Sequence, residues 1–140
     1  MPFTDYFLAP DDTIAVTALP DGGPVATDLP TVEAKNVDPV VDLGKIESLL
    51  TGVPYSEVLT LPRQGKAVSD VSAGGAEQFI VAVTDSLRDA LATATPAALD
   101  DAGARLAAAE DLDGATDFVR RLAGLAGRAG GWRLYCYWAL

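Results

Sequence analysis

The residue most informative about chemistry in this chain is one that never occurs: there is no histidine. Imidazole is the usual general base at neutral pH and the commonest metal-binding nitrogen. Its absence removes Ser-His-Asp and Cys-His catalysis, together with ordinary zinc sites. The single cysteine, Cys136, would be a nucleophile if a cation such as Arg133 activated it. The stretch 130–140 reads as a strand, however, and residues three apart on a strand project from opposite faces. Cys136 then shares a face with Trp132, Leu134, Trp138 and Leu140, the setting of a buried and inert thiol.

The segment Glu110-Asp111-Leu112-Asp113-Gly114, followed by Asp117, places aspartates two apart before a glycine, as a calcium loop does. The register then fails, because the first ligand position falls on Ala109 and the closing glutamate on Arg120. A helix-connecting turn whose aspartates cap the next helix fits better. Gln64-Gly65-Lys66 lacks the rest of a phosphate loop, since Thr60 stands at the earlier glycine and Ala67 follows the lysine. Asp11-Asp12 and Asp100-Asp101 are paired carboxylates, but neighbours on a helix diverge by about 100°, and caps and solvated faces account for them. No catalytic residue, metal ligand or cofactor is therefore assigned. One constellation is left: Arg133, Tyr135 and Tyr137 on the second face of the terminal strand, a candidate interface because tyrosine and arginine combine apolar area with a polar tip. Two arrangements are open. Either that face is exposed to a partner, or helices cover it and the hydroxyls find internal acceptors.

Charge narrows the partners. The net charge is −10, from twenty acids against ten bases, which disfavours a phosphate backbone, so no nucleic-acid partner is expected. The excess is concentrated in residues 1–62, where Lys35 and Lys45 are the only bases, so an acidic face is expected from the first half and a basic protein is the expected partner. Apolar runs such as Phe79–Val83 are far too short to span a bilayer, so no membrane association is expected. The opening Met1-Pro2-Phe3-Thr4-Asp5 has no signal-like character, and one cysteine makes no internal bridge; together these predict a cytoplasmic protein.

The elements that must position these groups can be read from period and punctuation. Phe3–Ala9 reads as a strand between Pro2 and Pro10. Thr13–Leu19 alternates like a strand but follows paired aspartates like a capped helix, and a short helix is the preferred reading. Pro20-Asp21-Gly22-Gly23-Pro24 is a turn, and 31–35 a candidate short strand. Asp38-Pro39 starts a helix over 39–51 with Val40, Leu43, Ile46 and Leu50 at helical spacing, ending at Gly52, with one further turn near 54–59. Residues 63–77 read as a long exposed loop, and 78–84 as an inner strand covered on both faces. Helices follow over 85–94, 96–110 and 115–129, the last with an inward stripe of Phe118, Leu122, Leu125, Ala126 and Ala129. The strand 132–140 closes the order. Elements in this sequence predict a single α+β domain over 1–140, with a small mixed or antiparallel sheet packed by helices.

The aromatic first strand with Tyr6-Phe7, the helix ending Leu49-Leu50-Thr51-Gly52, the later Leu- and Ala-rich helices and the terminal strand together resemble the small bacterial YfbM-type proteins of unknown function. The Leu-Tyr-Cys-containing end also resembles uncharacterised small proteins of high-GC bacteria. The resemblance implies an α+β single domain and transfers no catalytic residue. Two functions are expected. The first is a non-enzymatic protein-interaction domain, immunity-like or regulatory, using its acidic first half or the 63–77 loop against a basic partner; a homodimer through the aromatic strand is compatible with this and with the alternative. The alternative is a small-molecule-binding domain or a histidine-free enzyme, with carboxylate, tyrosine and arginine groups converging in a cleft.

Overall fold

A computed structural model describes residues 3–19, 23–24, 27–69 and 78–139, with the side chain of Phe3 outside that set. Most of the expected 20–24 turn, residues 70–77 of the expected loop, and Leu140 lie outside the described residues. The strands are β1 (Phe3–Ala9), β2 (Thr31–Val32), β3 (Gln78–Ala82) and β4 (Arg133–Ala139). They form one antiparallel sheet in the order β2-β1-β4-β3. The aromatic terminal strand is thus central: it pairs with β1 from Phe3↔Ala139 to Ala9↔Arg133 and with β3 from Gln78↔Ala139 to Ala82↔Tyr135. The helices are α1 (Asp12–Ala15, continued by a 3-10 turn at Val16–Ala18), α2 (Val41–Thr51), α3 (Tyr55–Val58), α4 (Asp85–Thr93), α5 (Pro96–Glu110) and α6 (Ala115–Gly127). The molecule is the α+β domain expected, with a wholly antiparallel sheet.

Alternation along the strands divides the interior into two cores. Tyr6, Leu8, Val81, Leu134 and Cys136 face α2, α4 and α6, whose contributions include Leu43, Ile46, Leu87, Leu91, Phe118 and Leu122. The inward stripe expected of α6 is buried at every position, from Phe118 to Ala129. On the opposite face Phe7, Ala9, Ile80, Tyr135 and Tyr137 lie under Ala15, Ala18, Leu19, Leu29 and Val68. Gly23 belongs to this cover. Its φ is +120°, and a Cβ there would stand 3.0 Å from Cε1 of Tyr137, so the ring and the backbone both require glycine.

Several local expectations are corrected. β3 has cover on both faces but is an edge strand, and its outer side is met by the segment expected to be an exposed loop. Val68 N–H donates to Ile80 O at 2.9 Å, Ala82 N–H to Lys66 O at 2.7 Å, and Ile80 N–H to Ser69 Oγ at 3.0 Å. Pairing through backbone groups needs no apolar period, so nothing in residues 66–69 announced it; it occupies an edge that would otherwise invite strand addition. α2 starts two residues later than expected, at Val41, while Asp38 accepts from the early amides as expected: Oδ1 accepts from the amides of Val40 and Val41, and Asp42 Oδ2 accepts in return from the Asp38 amide. Between α5 and α6 the aspartates do not cap the next helix; Asp111 instead ends α5. Asp111 takes a left-handed conformation (φ 50°) and Gly114 stands at the N-cap without a side-chain bond, so the turn is built from backbone geometry.

The contact of α5 with α6 depends on Gly103. A Cβ added there would stand 2.5 Å from Cα of Thr116, a backbone atom that cannot move without displacing its helix. Gly103→Ala is expected to lower stability by about 1–3 kcal/mol, the usual cost of overpacking. A chemical-denaturation midpoint equal to that of the parent would contradict this close approach.

Candidate functional site

The structure gathers one tyrosine, one arginine and one carboxylate, though not the trio of the terminal strand. Asp12 opens α1, which Asp11 caps by accepting the Ile14 amide at 2.9 Å, and this carries its carboxylate over the end of β4. There Tyr135 donates its hydroxyl to Asp12 Oδ1 at 2.6 Å. Arg63, in the turns after α3, donates Nη2–H to the same oxygen at 3.0 Å and lays its guanidinium 5.7 Å from the Tyr135 ring centre. Arg63 Nε is buried and finds no acceptor.

The electrostatics follow from these contacts. The bonds from Arg63 and then from Tyr135 hold the Asp12 carboxyl below the ordinary aspartate range. Burial, and then the bond to Asp12, push the Tyr135 hydroxyl well above its ordinary value. At neutral pH the cluster is thus a carboxylate, a guanidinium and a protonated phenol bonded to one another, with only Arg63 Nε left without an acceptor among the described residues. Such a group clasps α1 and the 59–65 turns to the sheet; it offers neither a free base nor a free nucleophile. Asp12 titrates lower folded than unfolded, so its contribution is present above its unfolded pKa and is lost as pH falls through the lower folded value. Asp5 and Asp42, raised chiefly by burial, act with the opposite sign. Asp12→Asn is expected to cost about 1 kcal/mol or less at pH 7, the pair being partly screened by solvent, and this difference from the parent should shrink as pH drops below the ordinary aspartate range. A difference that grows on acidification, followed by urea unfolding across pH, would contradict the assignment.

The other groups singled out by sequence are placed as follows. Tyr135 is fully buried and Tyr137 is 4% exposed, so their face is covered. The cover is α1 and the segments around Gly23, Leu29 and Val68, and the Tyr135 hydroxyl has an internal acceptor. Arg133 is half-buried, its Nε 3.6 Å from Asp85 Oδ2. Having neighbours on both sides and cover on both faces, β4 offers no open surface to a second copy through its tyrosines. Cys136 is buried in the helix-side core, and burial raises its thiol well above the usual range. Among the described residues no group of acidic or cysteine side chains is disposed to hold a metal ion, and no helix is long and apolar enough to cross a membrane.

Two features were missed by reading the chain. Glu47 is 2% exposed in α2 and holds Thr84 through one carboxylate oxygen and Ser86 Oγ, at 2.6 Å, through the other. The second is a cavity of about 630 Å³ where the open edge of β2 meets α6, lined by Thr27, Leu29, Thr31, Val32, Arg121, Gly124 and Arg128 among others. Gly124 and Arg128 lie three and seven residues after Arg121 on one helical face, a spacing visible in the sequence that the inward apolar stripe alone does not bring out. No protein-family model, curated protein or solved structure matches the chain.

Proposed function

We propose that the protein is a non-enzymatic interaction domain, immunity-like or regulatory, that acts in the cytoplasm on a basic protein partner. One observation carries the reading: Asp11, Asp28, Glu33 and Glu57 of the first half are exposed and have no ion-pair partner among the described residues. In the second half, by contrast, Asp85, Asp89, Asp100, Asp101, Glu110 and Asp117 are each paired with an arginine or lysine. In that half only Asp111 and Asp113 are exposed without an ion-pair partner among the described residues, so most of the exposed, unpaired acids lie on the half that the composition singled out, and an acidic surface steers and selects a cationic partner. The groups that a carboxylate-tyrosine-arginine enzyme would use are engaged with one another in the Asp12 cluster, which favours binding over catalysis. Kinship with the YfbM-type bacterial proteins rests, within this reading, on the layout of elements alone.

The test is affinity capture from a lysate of the source cells, with the parent and with an Asp11→Asn, Asp28→Asn, Glu33→Gln, Glu57→Gln variant. The reading expects a basic protein retained at low salt, released at high salt and not retained by the variant. Capture unaffected by salt, or equal with the neutralised variant, would overturn it.

A further inference from the structure

The cavity between β2 and α6 has features that neither packing nor the acidic-face reading accounts for. In an acidic molecule, two arginines line one wall of it. Arg121 is fixed, with Nε donating to Asp117 Oδ2 and Nη1 to the backbone oxygen of Glu33, each at 2.9 Å, which leaves further N–H groups unassigned. Arg128 is exposed at the end of α6; its backbone N–H donates to Leu125 O at 3.0 Å, and no ion pair or hydrogen bond of its guanidinium is found among the described residues. Seven residues set the two about 10 Å apart along one helical face.

Between them lies Gly124, where an added Cβ would meet nothing within 4 Å. Neither packing nor backbone conformation demands glycine there, and a mid-helix glycine is less stable than alanine. What glycine supplies at that position is room. Gly103, by contrast, is required by the approach of Thr116.

The opposite wall is the free edge of the sheet. Leu8 N–H donates to Pro30 O and Thr4 N–H to Ala34 O, while Val32 is opposite Tyr6. Residues 30, 32 and 34 therefore turn their backbone groups to β1, and the amides of Thr31 and Glu33 face outward. Glu33 also lines the cleft, and its backbone oxygen is held by Arg121. Thr31 is opposite Phe7, so alternation continued past β2 puts the Glu33 side chain on the face of Phe7 and Asp5, consistent with its charge adding to the effect of burial in raising the Asp5 carboxyl. Leu29, Val32 and Leu125 supply apolar lining.

We infer that this cleft is a binding site for a small organic anion, a carboxylate or phosphate group on a partly apolar body, held by Arg128 and Arg121 and by the edge amides of Thr31 and Glu33. A volume of about 630 Å³ lies within the range of small-molecule sites, and guanidinium groups with backbone amides are the donors that recognise planar or tetrahedral oxyanions. Glu33 is shared with the proposed partner surface, its backbone belonging to the cleft and its charge to the acidic face, and the test of the cleft uses the purified chain alone.

Amide chemical shifts are followed by NMR while the chain is titrated, in separate experiments, with inorganic phosphate, succinate and octanoate. At least one is expected to give saturable shifts confined to residues 27–33 and 121–128, and the three together separate phosphate from carboxylate and show whether an apolar tail contributes. Arg128→Gln, at an exposed and unpaired position, should weaken that binding about tenfold. Gly124→Leu, which fills the cleft without changing charge, should abolish it while shifts elsewhere stay at their parental values. Absence of saturable shifts with all three anions would overturn the inference, as would binding that Arg128→Gln and Gly124→Leu leave unchanged.

Discussion

Truncating Phe118 to alanine is expected to lower stability by about 3–5 kcal/mol, the range for deleting a buried phenylalanine ring. Phe118 is 3% exposed and its ring centre lies 5.3 Å from that of Tyr6, at the point where α6 rests on β1. The Tyr6 ring is held from its other end, its hydroxyl donating to Val37 O at 2.8 Å, so it is not free to fall into the space left behind. The neighbouring Leu122 and Val119 are fixed on the same helix, and the remaining void would lose both transfer free energy and dispersion contacts. Against a net stability of about 5–15 kcal/mol this is a large fraction, and the thermal midpoint should fall by on the order of 10 °C. A loss below about 1 kcal/mol in urea unfolding would mean that α6 does not bear on the sheet through this ring.

Thr84→Val carries the second large effect, with no change of shape. Thr84 Oγ1 accepts the Leu87 amide at 3.1 Å, capping α4, and donates to the buried carboxylate of Glu47 in α2. Valine preserves the volume and removes both bonds. Losing the cap costs about 0.5–2 kcal/mol, and losing a donor to a charged acceptor about 1.5–3 kcal/mol. The sum expected is about 2–4 kcal/mol, since Ser86 remains for the carboxylate. Thr84→Ser should recover most of it. Adding Glu47→Leu should also recover part of it, because an apolar side chain leaves no buried charge in need of a donor. Equal losses in the presence and absence of Glu47 would show that only the cap matters.

The parts legible in the chain were those fixed by period and punctuation. Leu-Tyr-Cys-Tyr-Trp alternates, and it correctly separates Cys136 from Tyr135 and Tyr137 across the sheet. Thr95-Pro96 caps α5 as its residue types predict, with Ala98 N–H bonded to Thr95 Oγ1. What could not be read depends on meetings between distant residues. Arg63 reaches Asp12 across 51 positions of chain, and no local pattern marks an arginine as the partner of one aspartate among many. The pairing of residues 66–69 with β3 uses backbone groups that every residue carries. Nothing in the chain marks Glu47 as buried, because its environment is set by where Thr84 returns 37 residues later. The Arg121-Gly124-Arg128 face was available at helical spacing, but its meaning required knowing that β2 leaves its outer edge open beside it.

The central claim is that the exposed carboxylates of the first half engage a cationic protein. The most direct measurement is the affinity of the captured partner for the purified chain as a function of ionic strength, with the parent and with the variant neutralised at Asp11, Asp28, Glu33 and Glu57. The account predicts an affinity that falls steadily with added salt for the parent and is weak and nearly independent of salt for the variant. Parallel curves of similar affinity for the two proteins would contradict it, and would move the partner surface away from the acidic half.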